Sequence, residues 1–115
     1  MVDIFKALSE ESRLRIVSLI LEGELCVCEI EACLKMTQSN ASRHLTVLKK
    51  SGILESYKHA QWTYYKISNG FIQENKELWE YLKIKLIKLP SYLSDHEAYQ
   101  KCKTQELCNC NKRPH

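Results

Sequence analysis

The pattern that most constrains the fold lies between residues 25 and 50, where a short turn separates two helical segments. Leu25 to Leu34 has apolar residues at helical spacing, and Thr37 is a suitable N-cap for a second helix that runs to about Lys50. The core-facing stripe of this second helix is Ala41, Leu45 and Leu48. Its opposite face carries hydrogen-bonding side chains, namely Ser39, Ser42, Arg43 and Thr46. This arrangement predicts a helix-turn-helix whose second helix contacts nucleic acid.

A β-hairpin is predicted directly after these helices. Ile53 to Tyr57 and Trp62 to Ile67 are rich in aromatic and β-branched residues, which favour strands. A four-residue connection, 58–61, joins them and carries a basic tip. A hairpin of this kind beside a recognition helix is typical of a wing that reaches the DNA backbone or minor groove. The side chains placed for such contacts are Lys58, His59 and Gln61.

The remaining segments predict helices, so the expected fold is mostly α with one small β-hairpin. Val2 to Leu8 forms a short helix, and Ser9 is expected to cap a second one from Glu10 to about Leu21. A long helix is expected from Ser68 or Asn69 to Leu89. Its wide apolar stripe contains Phe71, Ile72, Asn75, Leu78, Trp79, Leu82, Leu86 and Leu89.

That stripe predicts a homodimer formed through the first short helix and the last long helix, because a domain of this size has no other element to cover so wide a face. Packing within a single core is the alternative. The expected organisation is a winged helix-turn-helix and dimerisation domain over residues 1–90, followed by a cysteine-containing tail over 91–115 with a helix from His96 to Lys103.

Charge is unevenly distributed along the chain. The net charge is +3 overall, but residues 1–36 carry −3, residues 37–66 carry +4 and residues 67–115 carry +2. His44 and His59 lie in the middle segment and could add to its positive charge. A basic excess on the predicted helix-turn-helix and wing is typical of a nucleic-acid-binding face, and an ordinary solvated surface is the alternative.

Six cysteines are the unusual feature of the composition. The first 30 residues lack the pattern of a secretory signal, and no apolar run approaches the roughly 20 residues of a membrane span, so a cytoplasmic protein is expected. Clustered thiols in the cytosol are more often metal ligands or redox groups than disulfides. No C-x-x-C pair, hydrolytic motif or phosphate-binding loop occurs, so an enzyme is not expected.

Two C-x-C pairs, Cys26–Cys28 and Cys108–Cys110, suggest a site for a thiophilic ion. If both Cys26 and Cys28 lay in one ideal helix, they would stand about 200° apart around its axis. Binding one ion with both would then require the start of that helix to unwind. Cys33 has core-facing neighbours and is expected to be a packing residue.

At this point the sequence resembles the ArsR/SmtB family of metal-sensing winged-helix repressors, over about residues 3–89. Residues 7–16, ALSEESRLRI, resemble the start of the family's second helix, and residues 24–30, ELCVCEI, its thiolate metal box. Residues 38–45, QSNASRHL, resemble its recognition helix, and residues 62–68 its second wing strand.

The resemblance implies a homodimer that binds double-stranded operator DNA and that does not associate with membranes. The base-reading positions are then Gln38, Ser39, Ser42 and Arg43. Phosphate contacts are expected from Arg43, Lys49, Lys50 and Lys58. The full predicted DNA-binding set is Gln38, Ser39, Asn40, Ser42, Arg43, Thr46, Lys49, Lys50, Lys58 and His59.

The metal box is similar to that of arsenic- and antimony-responsive repressors and of cadmium and lead sensors. Glu31 stands where the arsenic type commonly has a third cysteine, and no cysteine precedes Cys26, as the cadmium type would have. Cys26 and Cys28 are therefore the predicted ligands. Further donors, from either subunit or in a second site, are Cys102, Cys108 and Cys110.

The function expected from these observations is a repressor of a resistance operon that As(III) or Sb(III) releases from its operator. Alternatives in the same family are a repressor that responds to Cd(II), Pb(II) or Zn(II), or to thiol oxidation. An alternative from another class is a thiolate metal buffer or chaperone that does not use its winged helix to bind DNA.

Overall fold

Helices and a small sheet alternate along residues 1–105, which the computed structural model describes. The elements are α1 Val2–Leu8, α2 Glu11–Ile20, β1 Leu25–Cys26, α3 Val27–Leu34, α4 Gln38–Lys50, β2 Leu54–His59, β3 Trp62–Ile67, α5 Asn69–Glu74, α6 Lys76–Leu86 and α7 Tyr92–Gln105. The three strands form one antiparallel sheet in the order β1-β3-β2. The mostly α winged helix-turn-helix predicted from the sequence is therefore confirmed.

The recognition helix α4 has the predicted boundaries, because local residues set both of its ends. Thr37 is extended and its Oγ1 accepts a hydrogen bond from the Asn40 N–H at 3.2 Å. After Lys50 the chain turns through Gly52, whose φ of +89° is a left-handed conformation that glycine adopts at little cost. The predicted inner stripe is fully buried and consists of Ala41, Leu45 and Leu48.

Helix α2 contributes several buried residues to the core. Ile16, Val17 and Leu19 are completely buried and pack in the same cluster as the α4 stripe. Tyr64 of β3 is also fully buried, and its ring stacks on that of Tyr57 with 5.6 Å between centroids. The core thus joins the helix-turn-helix to the wing as one packed unit.

The predicted hairpin is present and β3 has the predicted bounds, but β2 begins at Leu54 and extends to His59. Lys58 and His59, expected in the connection, belong to β2 and lie opposite Thr63 and Trp62. Only a two-residue turn remains, in which Ala60 has a φ of +56°. The tight turn places Lys58 and His59 at the free end of the hairpin, and Gln61 lies in the turn itself.

The prediction of a helix from Leu25 was wrong at its start, since Leu25–Cys26 forms β1. Cys26 has φ −92° and ψ 169°, and it stands opposite Tyr64 while Leu25 stands opposite Tyr65. Both β1 residues are buried. Pairing with β3 satisfies backbone groups that the helix start would leave without a partner, and α3 begins only at Val27.

Two further local predictions were wrong. The Ser9 hydroxyl donates to the carbonyl oxygen of Lys6 at 2.6 Å, so it closes the end of α1 instead of capping α2, whose N-cap is Glu10. The long helix is broken at Asn75, which has φ −133° and ψ 49°. Its side-chain amide donates to the Phe71 carbonyl at 3.2 Å, and such local bonds compete with helix continuation.

The chain after α6 contributes α7, which is longer than the predicted helix from His96 to Lys103 and packs against α2 and α3. The Arg15 guanidinium binds the Asp95 carboxylate through two hydrogen bonds of 2.9 and 2.8 Å. Ser18 and Glu22 of the α2 region both contact the His96 ring. Within residues 1–105, no helix is both long and apolar enough to cross a membrane.

Candidate nucleic-acid interface and thiolate site

The outer face of α4 is polar, basic and exposed. No acidic residue lies in its first turn, and Lys49 and Lys50 end the helix. Ser42 is half-buried. The Thr46 hydroxyl donates to the Ser42 carbonyl oxygen at 2.8 Å, so the Thr46 hydroxyl proton is used within the helix. The exposed predicted DNA-binding residues of α4 are Gln38, Ser39, Asn40, Arg43, Thr46, Lys49 and Lys50.

The wing adds a second basic surface. Lys58 and His59 are exposed at the hairpin end. Lys66, in the same hairpin, is instead 3.3 Å from the Glu55 carboxylate on the opposite strand. The wing therefore presents its positive charge at the tip.

His44 does not belong to this face, contrary to its expected role as a reserve of positive charge. Its side chain is only 4% exposed and packs between α4 and α2. Arg13 Nη1 lies 3.3 Å from its Nδ1, and Glu10 Oε1 lies 3.5 Å from its Nε2. Burial is the main cause that lowers the pKa of His44, which favours the neutral ring. His44 lies three residues after Ala41 and four residues before Leu48, and this helical spacing places it beside the buried stripe.

The predicted ligands Cys26 and Cys28 are brought together at the junction of β1 and α3. Their Sγ atoms are 3.0 Å apart. The expectation that they would stand on opposite sides of a helix was wrong, because Cys26 is the extended N-cap and only Cys28 is helical. Cys26 is 1% exposed and Cys28 is half-buried, so the pair is accessible from one side. No unwinding of α3 is needed for both sulfurs to reach one ion.

Glu29 is a residue of this site that sequence reasoning missed. Its side chain is buried, and Oε1 accepts the Cys26 backbone N–H at 3.0 Å. A carboxylate three residues after an N-cap is the second half of a capping box, which was the available sequence signal. Glu29 thereby fixes the backbone that carries Cys26.

The site is also tied to the wing. The Tyr57 hydroxyl of β2 donates to the Glu24 carboxylate, and Cys26 stands opposite Tyr64 of β3. A displacement of Cys26 would thus act on the wing strands as well as on α3.

Cys33 and Cys102 lie together elsewhere, between α3 and α7. Both side chains are 4% exposed, which confirms the prediction that Cys33 packs in the core. Burial, followed by the neighbouring Cys102, raises the pKa of the Cys33 thiol. Within residues 1–105, no three His, Cys, Asp or Glu side chains form a group suited to hold a metal ion. Cys108 and Cys110 lie outside the described residues.

An apolar surface is exposed along α1 and α6. Phe71, Leu82 and Leu86 of the predicted stripe are buried in the chain's own core. The large apolar side chains that are exposed in these two helices or directly beside them belong to other positions than that stripe, namely Met1, Val2, Phe5, Tyr81, Ile84 and Ile87. A cavity of about 300 Å³ lies between the two helices and is lined by residues of both, including Phe5 and Leu78.

Comparison with known sequences agrees with this geometry. Residues 10–56 match the model of a family described as bacterial regulatory protein, arsR family. The chain is 44% identical over 68 residues to the arsenical resistance operon repressor of Escherichia coli, covering 58% of each protein. It is 46% identical over 75 residues to a cadmium resistance transcriptional regulatory protein of Listeria innocua, covering 64% of this chain and 63% of that one. The matches therefore span less than two thirds of these relatives.

Solved structures share the fold. HlyU from Vibrio cholerae superimposes with a TM-score of 0.60 at 34% identity, over 70% of this chain and 88% of that one. A winged helix-turn-helix DNA-binding domain from Mycobacterium bovis, described as homodimeric and as a possible ArsR-family regulator, gives a TM-score of 0.63 at 27% identity, over 73% and 78%. Together with the helix-turn-helix, the wing and the thiol pair, these likenesses establish that the chain belongs to the arsR family of transcriptional regulators.

Proposed function

We propose that this protein is a cytoplasmic, homodimeric repressor of a metalloid-resistance operon. Without inducer it binds operator DNA, and it leaves the DNA when As(III) or Sb(III) binds to Cys26 and Cys28. The observation that carries the proposal is the pair of sulfurs 3.0 Å apart at the junction between the helix-turn-helix and the wing.

DNA binding is assigned to the outer face of α4 and the wing tip. Gln38, Ser39, Ser42 and Arg43 read bases in the major groove, where amide and guanidinium groups can make paired hydrogen bonds. The phosphate contacts come from Arg43, Lys49, Lys50 and Lys58, and Asn40, Thr46 and His59 flank them. Because these contacts release counterions, the affinity falls as salt rises.

The homodimer is assigned to the exposed apolar residues of α1 and α6. Large apolar side chains exposed on both helices favour association with a second copy. The homodimeric domain from Mycobacterium bovis has the same fold. Two-fold symmetry would place two α4 helices about one DNA turn apart on a palindromic operator.

The inducer is assigned by the chemistry of the donors. Two thiolates favour soft, thiophilic ions over Mg²⁺ or Ca²⁺. Two sulfurs on one tetrahedral ion such as zinc would lie about 3.8 Å apart, from a metal–sulfur bond of about 2.3 Å, so a small opening of the pair suffices. Cys108 and Cys110 are the further donors we propose for the third position.

Coupling to DNA runs through the backbone on either side of the pair. Opening the two sulfurs moves Cys26 relative to Cys28, and with it β1 relative to α3. Driving the protein from mostly DNA-bound to mostly released requires about 5.5 kcal/mol of differential ion binding, or about 10⁴-fold in affinity. The bound and released conformations must therefore differ at the sulfurs themselves.

The test uses fluorescence anisotropy with a labelled duplex of the DNA upstream of the protein's own gene. Arsenite should release the wild-type protein from this duplex. Cys26→Ala and Cys28→Ala should bind the duplex as tightly as wild type and should not respond to arsenite, because one thiolate cannot replace the pair. Cys33→Ala is the matched control, which loses a thiol outside the site and should still respond.

Unchanged arsenite-induced release in the two site variants would refute the assignment of the inducer site. Absence of any sequence-specific complex would instead favour the buffer or chaperone function. The similarity to a cadmium resistance regulator makes Cd(II) the second candidate inducer. Comparing release by arsenite and Cd(II), with X-ray absorption to count sulfur ligands, separates the two.

A further inference from the structure

A buried polar cluster joins α1, α2 and the recognition helix. Arg13, 9% exposed, donates from Nε to the Ala7 carbonyl at 2.6 Å and from Nη2 to the Lys6 carbonyl at 3.3 Å. Both carbonyl groups belong to the last turn of α1, where a helix lacks internal donors, and the Lys6 carbonyl also accepts from Ser9. Its Nη1 lies 3.0 Å from Glu10 Oε2 and 3.3 Å from His44 Nδ1. One guanidinium thus links the end of α1 to α4.

The chemistry of the partners fixes the proton on the His44 ring. Both ring nitrogens of His44 face a guanidinium, which has only donors: Nδ1 lies 3.3 Å from Arg13 Nη1 and Nε2 lies 3.4 Å from Arg43 Nη2. A carboxylate oxygen, Glu10 Oε1, also lies 3.5 Å from Nε2, so we place the ring proton of the neutral imidazole on Nε2 and leave Nδ1 to accept from Arg13. Only the Glu10 carboxylate can accept it, because Arg43 also has donors alone.

This tautomer has a consequence for Arg43. If the proton were on Nδ1, Nε2 would accept from Arg43 and hold its guanidinium against the protein. With the proton on Nε2, His44 offers Arg43 no acceptor, and the exposed Arg43 side chain remains available to DNA. The same ring holds α4 in place through Arg13.

We propose that His44, neutral and protonated at Nε2, is a positioning residue for DNA recognition that locks α4 onto Arg13 and leaves Arg43 to the DNA. This inference rests on the proposed function, since it assumes that α4 reads DNA. It extends that function in one respect. Arg13 also binds the end of α1, so the cluster sets the orientation of the recognition helix relative to the proposed dimer helix.

Protonation of His44 would break this arrangement. Nδ1–H would then point at the Arg13 donor, and a third positive charge would join Arg13 and Arg43 around the single carboxylate of Glu10. Asp3, Lys6 and Lys50 line the cavity next to Arg13 and are the other charged groups at this junction. Acidification should therefore weaken DNA binding through His44.

The experiment measures affinity for the duplex of upstream DNA between about pH 7.5 and pH 5.5, where histidine titrates, at constant ionic strength. The affinity should fall about tenfold on acidification, which is the effect of losing one charge-assisted hydrogen bond.

Two substitutions separate positioning from packing. Asn in place of His44 can put an amide oxygen where Nδ1 accepts from Arg13, whereas Leu fills the space without an acceptor. His44→Asn should bind within about threefold of the parent and lose the fall in acid, and His44→Leu should bind about tenfold more weakly at all pH values. As a measurement that needs no variant, ¹⁵N NMR of the imidazole in the free protein should show the Nε2–H tautomer at about pH 7.5.

An Nδ1–H or charged ring in the NMR spectrum would overturn the inference, as would His44→Asn binding as weakly as His44→Leu. Equal binding by all three proteins would also overturn it. If the parent protein forms no specific complex with the duplex, the proposed function fails and the positioning role fails with it. A failed pH dependence with intact DNA binding refutes the positioning role alone.

Discussion

The ion pair between Arg15 and Asp95 should be asymmetric in its contribution to stability. The Asp95 side chain is 5% exposed, whereas that of Arg15 is 25% exposed. Asp95→Ala removes two charge-assisted hydrogen bonds, but the Arg15 guanidinium can still contact water and the nearby Glu11. Asp95 and, to a smaller extent, Glu11 raise the pKa of Arg15 in the folded protein. We expect a loss of about 2 kcal/mol in the free energy of unfolding, near the value for one such bond.

Arg15→Ala is expected to cost more, because it leaves the Asp95 carboxylate buried without its guanidinium. Removing one partner of a buried ion pair typically costs about 3–5 kcal/mol. The double variant leaves no unpaired charge, so its loss in the free energy of unfolding should be smaller than the sum of the losses in the two single variants. The double loss should fall short of that sum by about 2 kcal/mol.

Urea-induced unfolding followed by circular dichroism measures these free energies. The slope of the free energy of unfolding against urea concentration should be the same in all variants, which would show that the compactness of the folded and unfolded states is unchanged. Lys83→Ala is the matched control, because its partner Glu80 is 66% exposed and such surface pairs contribute less than about 1 kcal/mol. A loss in Arg15→Ala no larger than that in Asp95→Ala, or a double variant whose loss equals the sum of the two, would contradict the expected asymmetry.

Two further predictions concern titration and reactivity. The folded state lowers the pKa of His44 below its usual value of 6.5, so the unfolded chain binds that proton more readily. The contribution of His44 to the free energy of unfolding should therefore be fully present above pH 6.5 and be lost as the pH drops through the folded-state pKa. Urea titrations at several pH values should show a weaker pH dependence of the free energy of unfolding in His44→Asn than in the wild type, and the same pH dependence in both proteins would contradict this. Because burial raises the pKa of Cys33 and excludes reagents, iodoacetamide should modify Cys33 and Cys102 at least about a hundredfold more slowly in the native protein than in urea; mass spectrometry measures this, and equal rates would show that the α3–α7 contact opens readily.

The elements that the sequence predicted well are those with local causes. Thr37, the stripe of α4 and Gly52 define that helix within 16 residues, and the alternating aromatic residues of the hairpin define β2 and β3 without any distant partner. The exposed polar side of α4 followed from the same periodicity. Cys33 followed from its position among core-facing neighbours.

The features that sequence reasoning missed depend on distant partners. A two-residue strand is too short to show alternation, and β1 exists because it pairs with β3 about forty residues later. His44 is tolerated in the core because Arg13, 31 residues away, contacts it. The docking of α7 depends on Asp95, which is 80 residues from its partner Arg15. None of these pairings can be deduced from one helical or strand period.

The strand β1 also changes how ion binding should reach the DNA. If Cys26 and Cys28 shared one helix, an ion could act on DNA only by unwinding that helix, at the cost of its hydrogen bonds. With Cys26 in a strand and Cys28 in the first turn of α3, the pair spans a hinge between two rigid elements. β1 is held to the wing through β3, and α3 leads to α4 through a turn that contains Lys35 with a φ of +55°. A change of the angle at this hinge would alter the position of the wing relative to α4, and binding of one duplex by both requires that position to be fixed.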